Sequence, residues 1–486
     1  MVPDDNKNPL SHPNTSLEEP GEQRREMEKM VLGFGHDFVD TLENSNAFNV
    51  DGPNPSPVKG FEILEDPWEL KELLEFFKQG VLNPGLNPAS GGHLGYIPGG
   101  GLFSAALGDY LAALTNRYAG VHYASPGAVK MENSLIEWSG KLIGYTEGFG
   151  GNLTSGGSLA NLIALACAKK SHGISSQNVD SNVIYWSAQT HHSLNKALHI
   201  LGLEECILRI IPLDGQFKLS TRHLEEQVEL DIRAGLHPFL VIANAGSTDV
   251  GAIDPIETLS IICKNKGMWL HVDAAYGGFF ALTTLGKSKL KGLGQADSVI
   301  LDPHKGLFLP YGSGIVLVKN IEQMVKTFRQ EAHYMQDSYH SQGLSPADLS
   351  PELSKHFRGL RMWLPLKLYG PKVFSDYLEE KLELTRYLYR ELLRLNFTVQ
   401  TEPELTVIAF RYKIPGELEQ NDRFNRAILN FVISDGRIFL SSTMIDNRFT
   451  LRAAILSFRT HKKEIDLLLE LLKHALEESK VQGHTE

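Results

Sequence analysis

The sequence predicts an α/β protein whose core is a mostly parallel β-sheet covered by helices on both faces. From about residue 150, short runs rich in apolar and β-branched residues alternate with amphipathic, helix-forming stretches. The apolar runs are nearly continuous, which is typical of parallel strands that are buried on both faces. Six strands are predicted, in the order NVIYWSA, CILRIIPL, FLVIANAGST, MWLHVDAAY, SVILDPHKG and GIVLVKN.

The segments before and after this core predict an N-terminal helical region and a C-terminal region of strands and helices. EMEKMVLGFGHDFVDTLE and DPWELKELLEFFKQGVL have helical periodicity, and Asp66 and Pro67 are start signals for the second helix. TVIAFRY, RIFLSST and FTLRAAIL are predicted as strands, and KKEIDLLLELLKHALEE as a closing helix. The predicted division is a disordered leader at 1–24, a helical arm and pocket loop at 25–115, a large α/β domain at 116–365 and a small α+β domain at 366–486.

Charge and composition argue against several classes of partner. The chain has 47 basic and 58 acidic residues and a net charge of −11, so we expect neither nucleic acid nor an anionic membrane surface as a partner. No apolar run approaches the roughly 20 residues that span a bilayer, and the polar N-terminus does not resemble a secretory signal. Cys167, Cys206 and Cys263 lack metal-ligand spacing, which favours reduced, packed thiols. A cytoplasmic protein without a metal site is therefore expected.

Polar residues follow several predicted strands, at the edge where parallel sheets bind ligands. TSGGSLANL places a glycine-rich turn, from Thr154 to Ser158, at the start of a helix. Such a turn either holds a phosphate on free N–H groups or is a tight loop. THHS places His191 and His192 after the strand NVIYWSA. An imidazole there can stack on an aromatic ligand, bind a metal or cap a helix, but adjacent histidines point in different directions, which argues against one metal held by both.

Asp273 and Lys305 are the most informative of these polar residues. Asp273 follows the strand MWLHV and Lys305 lies in DPHKG, and charged side chains beside buried strands favour a function. Thr248 follows a third strand, in NAGST, a segment whose residue types also form turns. A helix start for phosphate, an imidazole for the ring, a carboxylate for the pyridine nitrogen and a lysine for a Schiff base together fit pyridoxal 5′-phosphate (PLP).

The sequence resembles the group II PLP-dependent amino-acid decarboxylases, a family that includes aromatic-L-amino-acid, tyrosine and glutamate decarboxylases. The resemblance covers about residues 60 to 460 and rests on the segments GYIPGG, YASPGAVKMENSLIEW, TSGGSLANL, THHS, NAGST, HVDAAYGG, DPHKG and HFRGLRMW, in the family's order. It implies a PLP-dependent transferase-like (fold type I) large domain with a seven-stranded sheet. It also implies PLP as cofactor and a homodimer with active sites at the interface.

The resemblance further implies roles for individual residues. Lys305 matches the lysine that carries PLP as a Schiff base, Asp273 the partner of the pyridine nitrogen, and His191, two residues before a serine, the histidine that stacks on the ring. Tyr334, at the start of the family's mobile lid, matches the tyrosine that returns a proton to the substrate. Residues implied to lie at the cofactor are Gly157, Ser158, Thr248, Asp302 and His304. Those implied to form the wall of the substrate pocket are Tyr96, Ile97, Pro98 and Gly99.

Three positions depart from common family patterns. Asp302 stands where some relatives have asparagine. Because a carboxylate beside a phosphate is unfavourable, we expect its side chain to turn away or only its backbone to take part. Gly306 replaces a tryptophan that often follows the lysine, and Gly99 stands where some relatives have threonine. Both substitutions are expected to reshape the pocket.

These features predict that the protein decarboxylates an L-amino acid to carbon dioxide and an amine. The predicted catalytic residues are Lys305, His191, Tyr334 and Asp273. The apolar pocket wall favours an aromatic substrate, with glutamate, diaminobutyrate or another non-aromatic amino acid as the alternative. Two other functions remain open. One is an aldehyde synthase, against which a tyrosine rather than a phenylalanine at position 334 argues, and the other is a PLP-binding protein without catalytic activity.

Overall fold

The computed structural model describes residues 17–49, 60–63, 65–97, 99–330 and 344–482. The chain divides into two compact units, Met1–Ser45 with Asn49–Asn87, and Asn46–Phe48 with Pro88–Glu486. In the smaller unit, helices α1 (Gly21–Thr41) and α2 (Leu70–Phe77) contact each other through aromatic side chains. The four-part division and its boundaries stay a prediction.

Helix α2 begins later than the sequence predicts. Its first residue is Leu70, and the preceding Glu69 has an extended backbone, so the start predicted at Asp66 and Pro67 is wrong. The helix ends in a π-helical turn at Lys78–Leu82. The start signals therefore predict helix α2 but not its first residue, because helix boundaries are the least reliable part of a secondary-structure prediction.

The larger unit contains a seven-stranded sheet, which confirms the predicted fold class. Its strands are β1 (Gly150–Thr154), β2 (Asn182–Ser187), β3 (Ile207–Ile211), β4 (His237–Asn244), β5 (Trp269–Asp273), β6 (Ser298–Leu301) and β7 (Gly314–Val318). The spatial order is β1-β7-β6-β5-β4-β2-β3. Strand β7 is antiparallel to both of its neighbours, and the remaining pairs are parallel. The six predicted strands correspond to β2 through β7.

Strand β1, with the sequence GGNLT, was not among the predicted strands. It packs so closely on β7 that a Cβ atom on Gly151 would lie 2.2 Å from the backbone oxygen of Val316. Glycine is therefore required at a position where strand propensity favours larger residues. The constraint comes from the neighbouring strand, so the local apolar pattern does not reveal it.

Helices cover both faces of this sheet. Alternate residues of β2 enter different cores: Val183 and Tyr185 pack in one, and Ile184 and Trp186 in the other. This alternation follows from the two-residue period of a strand. The helices of this region are α3 (Phe103–Thr115), α4 (Pro126–Leu142), α5 (Gly157–Ser171), α6 (His192–Ile200), α7 (Thr221–Arg233), α8 (Ile256–Lys266), α9 (Thr284–Lys289), α10 (Pro303–Gly306) and α11 (Ile321–Phe328).

The C-terminal region has its own antiparallel sheet and core. Strands β8 (Phe397–Val399), β9 (Val407–Tyr412), β10 (Ser441–Ile445) and β11 (Arg448–Ala454) are arranged in the order β8-β9-β11-β10. The predicted strand RIFLSST overlaps β10 only from Ser441 onward. Helices α12 (Gly359–Arg394), α13 (Leu418–Asp435) and α14 (Lys462–Gln482) complete the region, and α12 is broken at Gly370, which has a left-handed φ of 72°.

Two further sequence predictions can be compared with the structure. Cys167, Cys206 and Cys263 are buried and unbonded to one another, which confirms packed thiols. Among the helices that the structure describes, none is long and apolar enough to cross a membrane.

A buried ion pair anchors the segment that leads into α12. Lys355 Nζ lies 2.7 Å from Glu132 Oε2 of α4, and both side chains are at most 2% exposed. Lys355 also donates to Asn152 Oδ1 of β1, at 2.8 Å. Glu132 Oε1 accepts from the backbone N–H of Gly359. The pair thus links a loop, a helix and the edge strand of the large sheet.

Replacing Lys355 with methionine should destabilise the protein strongly. The substitution leaves the Glu132 carboxylate buried without its cation, which costs about 3–5 kcal/mol of unfolding free energy. Lys141→Met, which removes an exposed partner of Glu137 on α4, is the control and should change stability by less than about 0.5 kcal/mol. Chemical denaturation of the two variants measures the difference, and equal stabilities would contradict the assignment.

Candidate active site

The carboxyl ends of five strands meet at one edge of the large sheet. Strands β1, β2, β4, β5 and β6 run in the same direction, because β7 is antiparallel to both β1 and β6. The register places Asp273 of β5 beside Asn244 of β4 and Ile300 of β6. Residues from these strand ends line a cavity of about 520 Å³, a size typical of cofactor and small-ligand sites.

Most of the residues predicted from the sequence line this cavity. They are Tyr96, Ile97, Gly157, Ser158, His191, Thr248, Asp273, Asp302, His304 and Lys305. Gly99 is not among the lining residues, and its backbone lies against Leu309 and Tyr311. Pro98 and Tyr334 lie outside the described residues.

The start of α5 presents an open N-terminus to the cavity. The helix follows β1 directly, and in the described part of the chain no side chain caps its first turn. Free N–H groups and the positive end of the helix dipole make such a site attractive to an anion. Gly157 permits this arrangement, because a Cβ atom there would lie 2.9 Å from the Asp302 carboxylate.

Lys305 is paired with Asp302 at the end of β6. Lys305 Nζ lies 3.0 Å from Asp302 Oδ2, and the carboxylate is 2% exposed. The expectation that the Asp302 side chain turns away is therefore wrong. The lysine, three residues further along the chain, provides the cation that allows a carboxylate to face the cavity.

Asp273 is buried and held by two hydrogen-bond donors. Its Oδ1 accepts from the backbone N–H of Ala275 at 3.1 Å, and its Oδ2 accepts from Asn161 Nδ2 at 3.0 Å. These two bonds hold the carboxylate in one orientation. Asp273 lines the same cavity as Lys305, whose ion-pair partner is Asp302.

The two neighbouring histidines differ in their exposure, although their ring centroids lie 4.2 Å apart. His191 lines the cavity, whereas His192 begins α6 and is exposed. His191 Nδ1 accepts from the backbone N–H of Ser193 and lies 2.8 Å from the Ser193 hydroxyl. Burial lowers the pKa of His191, so its imidazole is neutral at physiological pH. This placement agrees with the choice of His191 from the sequence.

His304 is fixed by the strand that follows it. Its Nδ1 donates to the backbone oxygen of Ser313, and its Nε2 lies 3.7 Å from Asp302 Oδ2. Burial lowers the pKa of His304 as well. The Lys305–Asp302 pair is therefore flanked by a neutral ring.

Sequence reasoning missed several residues that line the cavity, among them Asn161, Ser193, Asn244, Tyr276 and Arg452. Arg452 is 4% exposed and donates through Nε to the Thr248 backbone oxygen and through Nη1 to that of Gly95. The position of Arg452 inside the apolar run FTLRAAIL could have identified it as a candidate site residue. Charged residues seldom lie in buried strands, which is the same reasoning that identified Asp273. Asn161 gave no such signal, because a single asparagine in a helix is unremarkable.

Similar proteins identify the family. Residues 69–413 match the pyridoxal-dependent decarboxylase conserved domain. The chain is 32% identical over 422 residues to an aromatic-L-amino-acid decarboxylase of Bacillus atrophaeus, which covers 86% of this chain and 87% of that protein. It is 27% identical over 464 residues to a phenylacetaldehyde synthase of Arabidopsis thaliana, with coverage of 91% and 94%. The solved structure of Oryza sativa TDC with PLP and tryptamine superimposes with a TM-score of 0.90 at 21% identity, covering 96% of this chain and 99% of that one. The chain belongs to the pyridoxal-dependent decarboxylase family.

Proposed function

We propose that this PLP-dependent amino-acid decarboxylase acts on an aromatic L-amino acid and releases carbon dioxide and the corresponding amine. The observation that carries the proposal is the convergence of an open helix N-terminus, an imidazole, a carboxylate and a lysine on one cavity. Family membership supports PLP chemistry. The similarity to an aromatic-L-amino-acid decarboxylase supports the substrate class.

The residues of the cavity fit PLP in charge and hydrogen bonding. The open start of α5, with Gly157 and Ser158, suits the phosphate. The Asp273 carboxylate suits the pyridine nitrogen, because its two hydrogen bonds hold it in one orientation at the cavity. The side chains of Ala275 and Ile300 add apolar surface to the same cavity.

The proposal gives each group a separate task. When bound, PLP supplies an electron sink for the electrons left at the substrate α-carbon as carbon dioxide departs. Lys305 would hold the cofactor covalently, and Asp273 would pair with the protonated pyridine nitrogen. His191 would cover the ring. Because its imidazole is neutral, it adds no second positive charge beside the protonated nitrogen.

Tyr334 is proposed to return the proton to the substrate α-carbon. It lies outside the described residues, so this role rests on the match between its segment and the family's lid. Tyrosine at this position favours decarboxylation over aldehyde synthesis. An aldehyde synthase is nonetheless a real alternative, since an Arabidopsis thaliana relative has that activity in its name.

The pocket wall favours an aromatic substrate. Tyr96 and Ile97 offer ring and aliphatic surface to the cavity. Arg452 is the observation that favours the second candidate, an acidic amino acid, because it is a buried cation on the same wall. Its Nε and Nη1 are, however, already committed to backbone oxygens, which supports a role in shaping the wall.

A panel of substrates tests the proposed function. The purified enzyme with PLP should release carbon dioxide and amine in equal amounts from one or more of phenylalanine, tyrosine, tryptophan, DOPA and 5-hydroxytryptophan. Glutamate and diaminobutyrate are the comparison substrates and should react at least ten times more slowly, which is about 1.4 kcal/mol in transition-state binding. Ammonia and peroxide among the products would instead identify an aldehyde synthase, and preference for glutamate would assign Arg452 to the substrate.

Substitutions at Lys305 and Asp273 should have different spectroscopic effects. Lys305→Ala removes the amine and should abolish the visible absorbance of covalently bound PLP. Asp273→Ala should retain that absorbance but lose activity by about 10²-fold or more, because electrostatic stabilisation of this kind is worth several kcal/mol. Absorbance spectra and turnover measurements distinguish the two variants. A lysine variant that keeps the band would refute the assignment of Lys305.

We also propose that the enzyme is a cytoplasmic homodimer with active sites at its interface. Leu107, Leu111 and Leu114 lie on one face of α3 and are 36%, 42% and 67% exposed. Exposed apolar stripes of this kind are characteristic of protein interfaces. The opposite face of α3 packs on α12, where Gly108 lies against Leu360. The reduced, buried cysteines are consistent with the cytoplasm.

The oligomeric state of a charged α3 variant tests the dimer. The wild type should elute as a dimer in light-scattering chromatography, and a Leu111→Asp, Leu114→Asp double variant should dissociate and lose activity. Ile232→Asp on α7, which also replaces an exposed aliphatic side chain, should leave the dimer intact. A monomeric wild type with full activity would contradict the proposal.

A further inference from the structure

We propose that Asn161 is a positioning residue that holds both Asp273 and His191, and that a chain of hydrogen bonds from Trp269 through His271 fixes its orientation. The inference rests on the proposed function, in which Asp273 binds the pyridine nitrogen. Asn161 lies on α5, one turn after Gly157, and is 1% exposed. Its amide group makes polar contacts with three different side chains.

The chain consists of four consecutive hydrogen bonds. Trp269 Nε1 donates to Ser298 Oγ at 2.8 Å, and Ser298 Oγ lies 2.9 Å from His271 Nδ1. His271 Nε2 lies 2.9 Å from Asn161 Oδ1, and Asn161 Nδ2 donates to Asp273 Oδ2 at 3.0 Å. These side chains are at most 8% exposed. The chain therefore runs through the interior, from the start of β5 to its carboxyl end.

The chemistry of the groups sets the direction of the chain. A carboxylate can only accept, so Asn161 turns its amide nitrogen towards Asp273 and its oxygen towards His271 Nε2. His271 therefore carries its proton on Nε2 and donates to Asn161 Oδ1. Its Nδ1 is then the acceptor for the Ser298 hydroxyl, which itself accepts from the Trp269 N–H. A flipped amide would place an oxygen against the carboxylate and lose two hydrogen bonds.

His271 acts as a neutral link. Complete burial lowers its pKa to about 4, so it stays uncharged at physiological pH. The charged and titratable groups that share the cavity with Asp273 are Tyr96, His191, Tyr276, Asp302, His304, Lys305 and Arg452. The groups that hold the Asp273 carboxylate from the protein interior, Asn161 and His271, are therefore neutral dipoles. They stabilise the carboxylate without forming an ion pair with it, and leave it available to a cation in the cavity.

A branch from Asn161 reaches His191. Asn161 Nδ2 also donates to Ser193 Oγ at 3.2 Å, and that hydroxyl lies 2.8 Å from His191 Nδ1. The backbone N–H of Ser193 donates to the same nitrogen, which leaves the His191 proton on Nε2. The Asn161 amide therefore fixes the position of Asp273 relative to His191. In the proposed function these two residues contact the pyridine nitrogen and the face of the ring.

Three variants test the inference. Asn161→Ala should weaken PLP binding to the apoprotein by about 10-fold to 100-fold, the value of a hydrogen bond to a charged group. His271→Phe keeps a buried ring without a donor and should have a similar effect, whereas His271→Gln keeps a donor and should restore most of the affinity. Equilibrium titration with PLP measures these dissociation constants.

The absorbance spectrum of bound PLP separates positioning from general stability. Without the Asn161 amide the Asp273 carboxylate is no longer held in one orientation, so the visible absorbance maximum of PLP-saturated Asn161→Ala should differ from that of the wild type. Asn425→Ala is the control. It removes an equally buried asparagine that bonds to the Tyr412 backbone in the C-terminal sheet, and should lower stability without moving this absorbance maximum.

Three outcomes are decisive. Wild-type affinity and an unchanged absorbance maximum in Asn161→Ala would overturn the inference while leaving the proposed function intact. Equal affinities in His271→Phe and His271→Gln would remove His271 from the chain, even if Asn161→Ala cannot be purified in folded form. A wild-type protein that does not bind PLP would overturn the proposed function and this inference together.

Discussion

The buried negative charge of Asp273 is the constraint on which the organisation of the site depends. A carboxylate at the end of a buried strand is stable only if hydrogen bonds or a cation compensate for lost hydration. Here the Ala275 backbone and the Asn161 amide provide that compensation, while the nearby Lys305 is paired with Asp302. Asp273 and Lys305 thus have separate partners, and the proposed function assigns each of them to a different part of PLP.

The parallel sheet makes this arrangement possible with residues that are far apart in sequence. Each strand that ends at the common edge delivers one chemical group: β1 leads to the start of α5, β2 to His191, β5 to Asp273 and β6 to Lys305. Strand β7, which runs in the opposite direction, sits between β1 and β6. The Asp302 carboxylate still reaches the first turn of α5, where a Cβ atom on residue 157 would lie 2.9 Å from its oxygen.

Local sequence was informative where a residue type was unusual for its surroundings. Asp273 and Lys305 stood out because charged residues seldom adjoin buried apolar strands, and both line the cavity. Arg452 satisfied the same rule within FTLRAAIL and was missed. The β2 to β7 strands were found because their apolar runs are continuous. Strand β1 was not found, since Gly151 is required by the approach of β7 and a Cβ atom on Gly150 would lie against Ile321 of α11.

Local sequence patterns did not predict which side chains contact each other. Nothing in the sequence around Asn161 indicates that its amide donates to Asp273, 112 positions further along the chain. The orientation of Asp302 was likewise misjudged, because the compensating effect of Lys305 depends on the short helical turn that joins them. These features follow from tertiary packing, which brings together groups that sequence spacing leaves independent.

Chemical mapping of the lysine that holds PLP is the most direct test of the account. Borohydride reduction of the PLP-loaded protein makes the linkage permanent, and mass spectrometry of its peptides then locates the modified residue. The account predicts a single modification at Lys305 that disappears when PLP is omitted. Modification of a different lysine, or none after reduction of a PLP-saturated sample, would contradict the assignment of this cavity as the active site.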